Sequence, residues 1–88
     1  MKYEEFEAIG WPSRFVVHCR DGDPEVLLRE GGVGYIPPGD DPLGRGFIDA
    51  TMLPASSGQR RNCRRVYYLD EIVRITDEDG NVLWSTAQ

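Results

Sequence analysis

The segment "SGQRRNCRRVYY", residues 57 to 68, packs Arg60, Arg61, Arg64 and Arg65 into six positions and follows them with Tyr67 and Tyr68. The whole chain of 88 residues has ten Lys and Arg against fifteen Asp and Glu, a net charge of −5. Outside residues 60 to 65, six cations face fifteen anions, a balance of −9. The cluster is a positive island on a negative body. A guanidinium presents a planar fork that matches phosphate and carboxylate, and it also stacks on aromatic rings. Successive strand residues point to opposite faces, so one of the two tyrosines belongs to a core and the other faces outward. An outward tyrosine beside arginines makes a small base-stacking site. These six residues form the candidate set for holding an anionic partner: a nucleotide, a nucleic acid or an acidic peptide. The same arginines have a plainer use, pairing with the chain's own acids such as Asp40 and Asp41 or the turn at 77–79. Exposed pairs of that kind contribute only about 0–1 kcal/mol each. The acidity of the rest of the chain disfavours tight, sequence-independent binding of nucleic acid, because the body repels the backbone.

Other chemistry finds little support. The one histidine, His18, falls on the strand face of Arg14 and Arg20, which predicts a surface position. No nucleophile sits in a recognisable elbow, and "GGVG" (31–34) lacks the lysine and spacing of a phosphate loop. Paired carboxylates occur at Asp21/Asp23, Asp40/Asp41 and Asp77 to Asp79, each beside Gly or Pro, where Asp bonds its own backbone. The calcium-like run "DEDGN" (77–81) lacks the distal glutamate and flanking helices of a true loop. Cys19, Cys63 and His18 are too few and too scattered for structural zinc. Arginines flanking Cys63 favour its thiolate, which makes it a candidate redox thiol. The expectation is therefore a protein that is not an enzyme and carries no cofactor and no metal. No signal-like leader and no run of about 20 apolar residues is visible, so a cytoplasmic location without membrane association is expected.

The elements that would position these groups are short. "KYEEFEAIG" reads as a helix with Tyr3 and Phe6 on one face, stopped by Gly10 and Pro12. "RFVVHCR" (14–20) alternates, Asp21-Gly22-Asp23 turns, and "PEVLLRE" (24–30) returns. "VGYI" (33–36), "GFIDATML" (46–53) and "RRVYYL" (64–69) read as strands, and "IVRIT", "DEDG" and "NVLWS" as a closing hairpin. "PPGDDPLGR" (37–45) reads as an exposed loop that is neither strand nor helix. The fold class that follows is mainly β: one domain over residues 1–88, a small antiparallel SH3-like or Sm-like barrel of five to seven short strands with a short N-terminal helix. A barrel disposes of the strand edges that so many short strands create. Trp11 and Trp84 are expected to pack against its core.

At "RVYYLDEI" (65–72) the chain resembles the end of WYL-type domains, an Sm-like barrel family that closes with an arginine, an aromatic two residues on, then Leu-Asp-Arg-Ile. Arg65, Tyr67, Leu69, Asp70 and Ile72 fit, Glu71 replaces the arginine, and "FIDATM" (47–52) looks like the preceding strand. The Trp-Tyr-Leu tripeptide is absent. The resemblance, over residues 47–72, implies a ligand-sensing or nucleic-acid-sensing role in bacterial or phage regulation, with Arg65 in a basic ligand site. A second function class fits the charge: a small acidic inhibitor or immunity-type protein whose carboxylates, at Asp40/Asp41 and 77–79, cover a basic protein surface. Partner identity, oligomeric state and which tyrosine faces solvent are left open by the sequence.

Overall fold

Alternating apolar residues divide into strands wherever the chain lacks Gly and Pro, and the computed structural model, which describes residues 1–52 and 63–86, contains seven of them. These are β1 (Arg14–Cys19), β2 (Glu25–Leu28), β3 (Gly34–Ile36), β4 (Phe47–Met52), β5 (Arg64–Tyr68), β6 (Ile72–Asp77) and β7 (Val82–Ser85). One helix, α1 (Tyr3–Ala8), precedes them. Every pairing is antiparallel. β4 is the hub. One edge takes β5, from Phe47↔Tyr68 to Thr51↔Arg64. The other takes β3 and then β2. β2 continues to β1, β6 and β7.

This order forces curvature. β5 and β6 are separated by β4, β2 and β1 in the sheet, about 19 Å in a flat array at ~4.8 Å per strand. Yet only residues 69–71 connect them. From Tyr68 to Ile72 the chain can span at most about 15 Å at 3.8 Å per Cα step. The sheet therefore curls into a half-barrel, and the amide of Arg20 at the end of β1 donates to the Glu71 carbonyl in that connection at 2.9 Å.

Inside the curl lie Phe15 and Val17 of β1, Leu27 of β2, Ile48 and Ala50 of β4, Tyr67 of β5, and Ile72 and Ile75 of β6. β1 buries Phe15 and Val17 and β4 buries Ile48 and Ala50 as alternation requires, but β4 also buries the adjacent Thr51, whose hydroxyl lies 3.3 Å from Arg64 Nη1. β6 breaks the alternation: Ile72 and Ile75 are three apart. A bulge where β1 meets β6, between His18 and Cys19, resets the phase and brings both to the core face. His18 stays in register opposite Arg74, on the strand face away from Phe15 and Val17. It is half-buried, with Nε2 3.1 Å from Thr76 Oγ1 and Nδ1 3.4 Å from Arg74 Nη2. Burial first, then the Arg74 charge, lowers its pKa below the ordinary histidine value.

A helix of six residues is not stable alone. α1 is held by its ring contacts: Phe6 sits 5.4 Å from Trp11 and 5.2 Å from Tyr35. Trp84 Nε1 donates to Glu5 at 3.0 Å and the Tyr35 hydroxyl donates to the Met1 carbonyl at 2.9 Å. Gly10, at φ +62, ends it. Among the described residues, no helix is long and apolar enough to cross a membrane.

The loop at 37–45 differs from expectation. It contains a 3-10 turn, Pro38–Asp40, and it is organised around a buried carboxylate. Asp41 accepts backbone N–H bonds from Leu43 (3.1 Å), Arg45 (3.0 Å) and Gly46 (2.9 Å). Burial on its own would raise the Asp41 pKa. The three donors and the Arg45 charge outweigh it and hold the carboxyl below its ordinary value. A carboxyl depressed in the folded state stabilises above its unfolded pKa of about 3.9, and the contribution is lost as pH falls through the folded value. Acid unfolding monitored by tryptophan fluorescence should therefore be less steep below about pH 4 in Asp41→Asn, which should also melt several degrees lower at neutral pH; an unchanged acid limb contradicts the assignment.

Candidate functional site

Of the four clustered arginines, Arg64 and Arg65 are on β5, while Arg60 and Arg61 lie outside the described residues. Alternation puts Arg65 and Tyr67 on one face of β5 and Arg64, Val66 and Tyr68 on the other. Arg64 is engaged from five sides. Its Nη2 lies 3.0 Å from Asp49 Oδ1 and 3.3 Å from the Asp49 carbonyl. Its Nη1 donates to the carbonyls of Gly32 (2.7 Å) and Gly31 (3.2 Å) and reaches Thr51 Oγ1 at 3.3 Å. The guanidinium thus pins the Gly31-Gly32 turn to β4. Arg65 pairs with Glu25 at 3.1 Å and lies 5.9 Å from the centre of the Tyr67 ring. The two side chains stay 38% and 49% exposed, so each pair is of the weak, solvent-screened kind.

The tyrosines separate as alternation requires. Tyr67 is 7% exposed and Tyr68 is half-buried, so Tyr68 is the outward one. Its ring face is covered by Arg45, whose guanidinium carbon stands 4.0 Å from the ring centre. Arg45 also binds Asp70 in a two-point fork, at 3.1 and 2.8 Å, and reaches Glu71 at 2.9 Å. The hydrogen bonds that Arg45 donates to Asp70 and Glu71 raise its pKa, and the Asp70 carboxyl is lowered in turn, chiefly by its bond to Arg45. Sequence reasoning overlooked Arg45; its signal was a cation closing a Pro/Gly loop in a chain that also carries the acid pair of "LDEI".

The acidic turns are also partly committed. Asp41 is spent on its own loop. Asp77 accepts from the amides of Asp79 (2.9 Å) and Asn81 (2.8 Å) and from Asn81 Nδ2 (2.9 Å), which is hairpin-turn chemistry. Glu78 pairs with Arg14 at 3.7 Å. Asp40 and Asp79 remain exposed without an ion pair among the described residues. Among those residues, no three His, Cys, Asp or Glu side chains converge to hold a metal ion.

A second acidic feature was read in the sequence only as a turn. The β1–β2 connection places Asp21 and Asp23 in the lining of a cleft of about 190 Å³, together with Glu25, Arg65, Tyr67 and Glu71. Four carboxylates and one guanidinium give it a formal charge of −3. Cys19 contributes a thiol whose pKa is raised, first by burial and then by Glu71 and Glu25. Cys63 is exposed. Comparison with protein-family models, curated proteins and solved structures finds no match. The functional reading therefore rests on this geometry. The cleft is small for a cofactor, since sites for drug-sized ligands run to about 300–1,000 Å³. It is of the size and sign to accept one cationic group.

Proposed function

We propose that the protein is a non-catalytic binding module that sets its carboxylate-rich side against a basic protein surface, as a small inhibitor or immunity-type protein does. One observation carries this reading: Arg64 and Arg65 already face Asp49 and Glu25, whereas Asp21 and Asp23, which line the cleft, have no ion pair among the described residues. The charge left over for a partner is negative. The short turn between β5 and β6 supports counting the half-barrel with SH3-like or Sm-like barrels, which place such a turn before a late strand. The competing reading, an anionic partner held by Arg60, Arg61, Arg64 and Arg65 with Tyr67 or Tyr68, needs Arg64 and Arg65 to leave their carboxylates and Arg45 to leave the Tyr68 ring. The basic ligand site implied for Arg65 by the WYL-type resemblance meets the same obstacle.

Fluorescence anisotropy with two labelled probes separates the readings. An arginine-rich peptide should bind in about 0.01 M salt, where the Debye length is ~30 Å, and be released near 1 M, where it is ~3 Å. A single-stranded oligonucleotide should not bind in either. Oligonucleotide binding that Arg64→Gln/Arg65→Gln abolishes, with no peptide binding, overturns the proposal in favour of its competitor.

A further inference from the structure

Tyr67 is an anomaly in the core. It is 7% exposed, and its hydroxyl is buried without a hydrogen-bond partner of good geometry. Buried polar groups are paired in the great majority of cases, and an unpaired one calls for an explanation. A phenylalanine would fill the same space without this cost. Burial raises the Tyr67 pKa, and the next contribution is a loose hydrogen-bonding contact of the hydroxyl with the Glu25 carboxylate, which leaves the phenol oxygen without a donor. Glu25 is itself a wall of the acidic cleft, as is Tyr67.

We propose that this cleft is a pocket for one arginine side chain of a protein partner, with Asp21 and Asp23 receiving the guanidinium and the Tyr67 hydroxyl accepting one of its N–H bonds. The inference rests on the reading of the protein as an acidic module and specifies which part of it makes the contact. The room available, about 190 Å³, corresponds to roughly six waters at ~30 Å³ each. That suits the seven heavy atoms of an arginine side chain. The formal −3 of the walls excludes phosphate and carboxylate groups. Glu25 is occupied by Arg65 and Glu71 by Arg45, which leaves Asp21 and Asp23 as the carboxylates with unused acceptors. Two carboxylates from one turn suit a planar fork with five donors better than they suit a lone ammonium. On binding, the phenol gains its missing donor while its own O–H turns toward Glu25.

The test uses the full chain and a short arginine-containing peptide, with a matched peptide carrying neutral citrulline in place of arginine. The citrulline peptide should bind about tenfold more weakly or worse. Asp21→Asn/Asp23→Asn should lose a similar factor for the arginine peptide. Tyr67→Phe should also weaken binding, by about tenfold or less, while its melting temperature stays unchanged or rises, because the substitution removes an unsatisfied buried hydroxyl. A purely structural tyrosine would give unchanged affinity. If the arginine peptide binds the wild type and neither variant alters it, the cleft is the wrong place although the acidic-module reading stands. If the peptide does not bind the wild type at all, both fall.

Discussion

Phe15→Ala should cost about 3–5 kcal/mol of stability, the range for truncating a fully buried aromatic. Phe15 has no exposed surface, sits in the strand that joins β2 to β6, and packs its ring 4.7 Å from that of Trp11. An 88-residue domain has about 4–13 kcal/mol in total. The substitution therefore removes a large share of it and brings the chain near the threshold of unfolding. Urea unfolding followed by tryptophan fluorescence reads the loss directly, since Trp11 reports from the same contact. Phe15→Leu, which keeps most of the volume, should cost clearly less. A loss below about 1 kcal/mol for Phe15→Ala would mean that the half-barrel is not organised around this ring.

Gly46→Ala should be nearly as damaging, for a different reason. Gly46 has φ +75, where a side chain is strained by about 1–2 kcal/mol. A Cβ there would also stand 2.9 Å from Leu69 Cδ1, 2.9 Å from Pro38 Cδ and 3.0 Å from the Pro38 nitrogen, and overpacking of that sort adds about 1–3 kcal/mol. The backbone cannot move away, because the Gly46 amide donates to Asp41 and its carbonyl accepts from the Leu69 amide at 3.0 Å. Gly10→Ala is the internal control. Gly10 has a similar φ of +62 with nothing within 4 Å of the added carbon, so it carries the conformational cost alone. Equal destabilisation of the two variants, measured by thermal melting, would remove the packing argument.

The legible part of this fold was whatever one segment decides for itself. Alternation at 14–19 and 47–50, the Asp-Gly turns, and the helix stop at Gly10 are local matters and stand as expected, while Thr51, expected on the outer face, is buried. The phase of β6 was not legible, because the bulge opposite Cys19 depends on its partner strand. The 3-10 turn in the Pro-rich loop was hidden for a related reason: it depends on a carboxylate buried against amides up to five residues further on.

The site was less legible still. The arginines were visible, but what they face was not. Arg64 finds Gly32 from 32 positions away, and Arg45 finds Asp70 from 25. Arg65 on β5 meets Glu25 on β2. A charge cluster in sequence identifies a resource and leaves its partners to the topology. The same holds for the cleft, which is assembled from the β1–β2 turn, β5 and the turn after it.

The central claim is that the protein's binding surface is the acidic cleft and that the described arginines of the cluster serve the fold. Amide chemical-shift mapping of the intact chain, titrated with the arginine peptide and separately with an oligonucleotide, tests it most directly. The peptide is expected to shift residues 19–25 and 65–71 while the oligonucleotide shifts nothing. Shifts confined to residues 60–65 and 49–51 on adding the oligonucleotide, with a silent β1–β2 turn on adding the peptide, would contradict it.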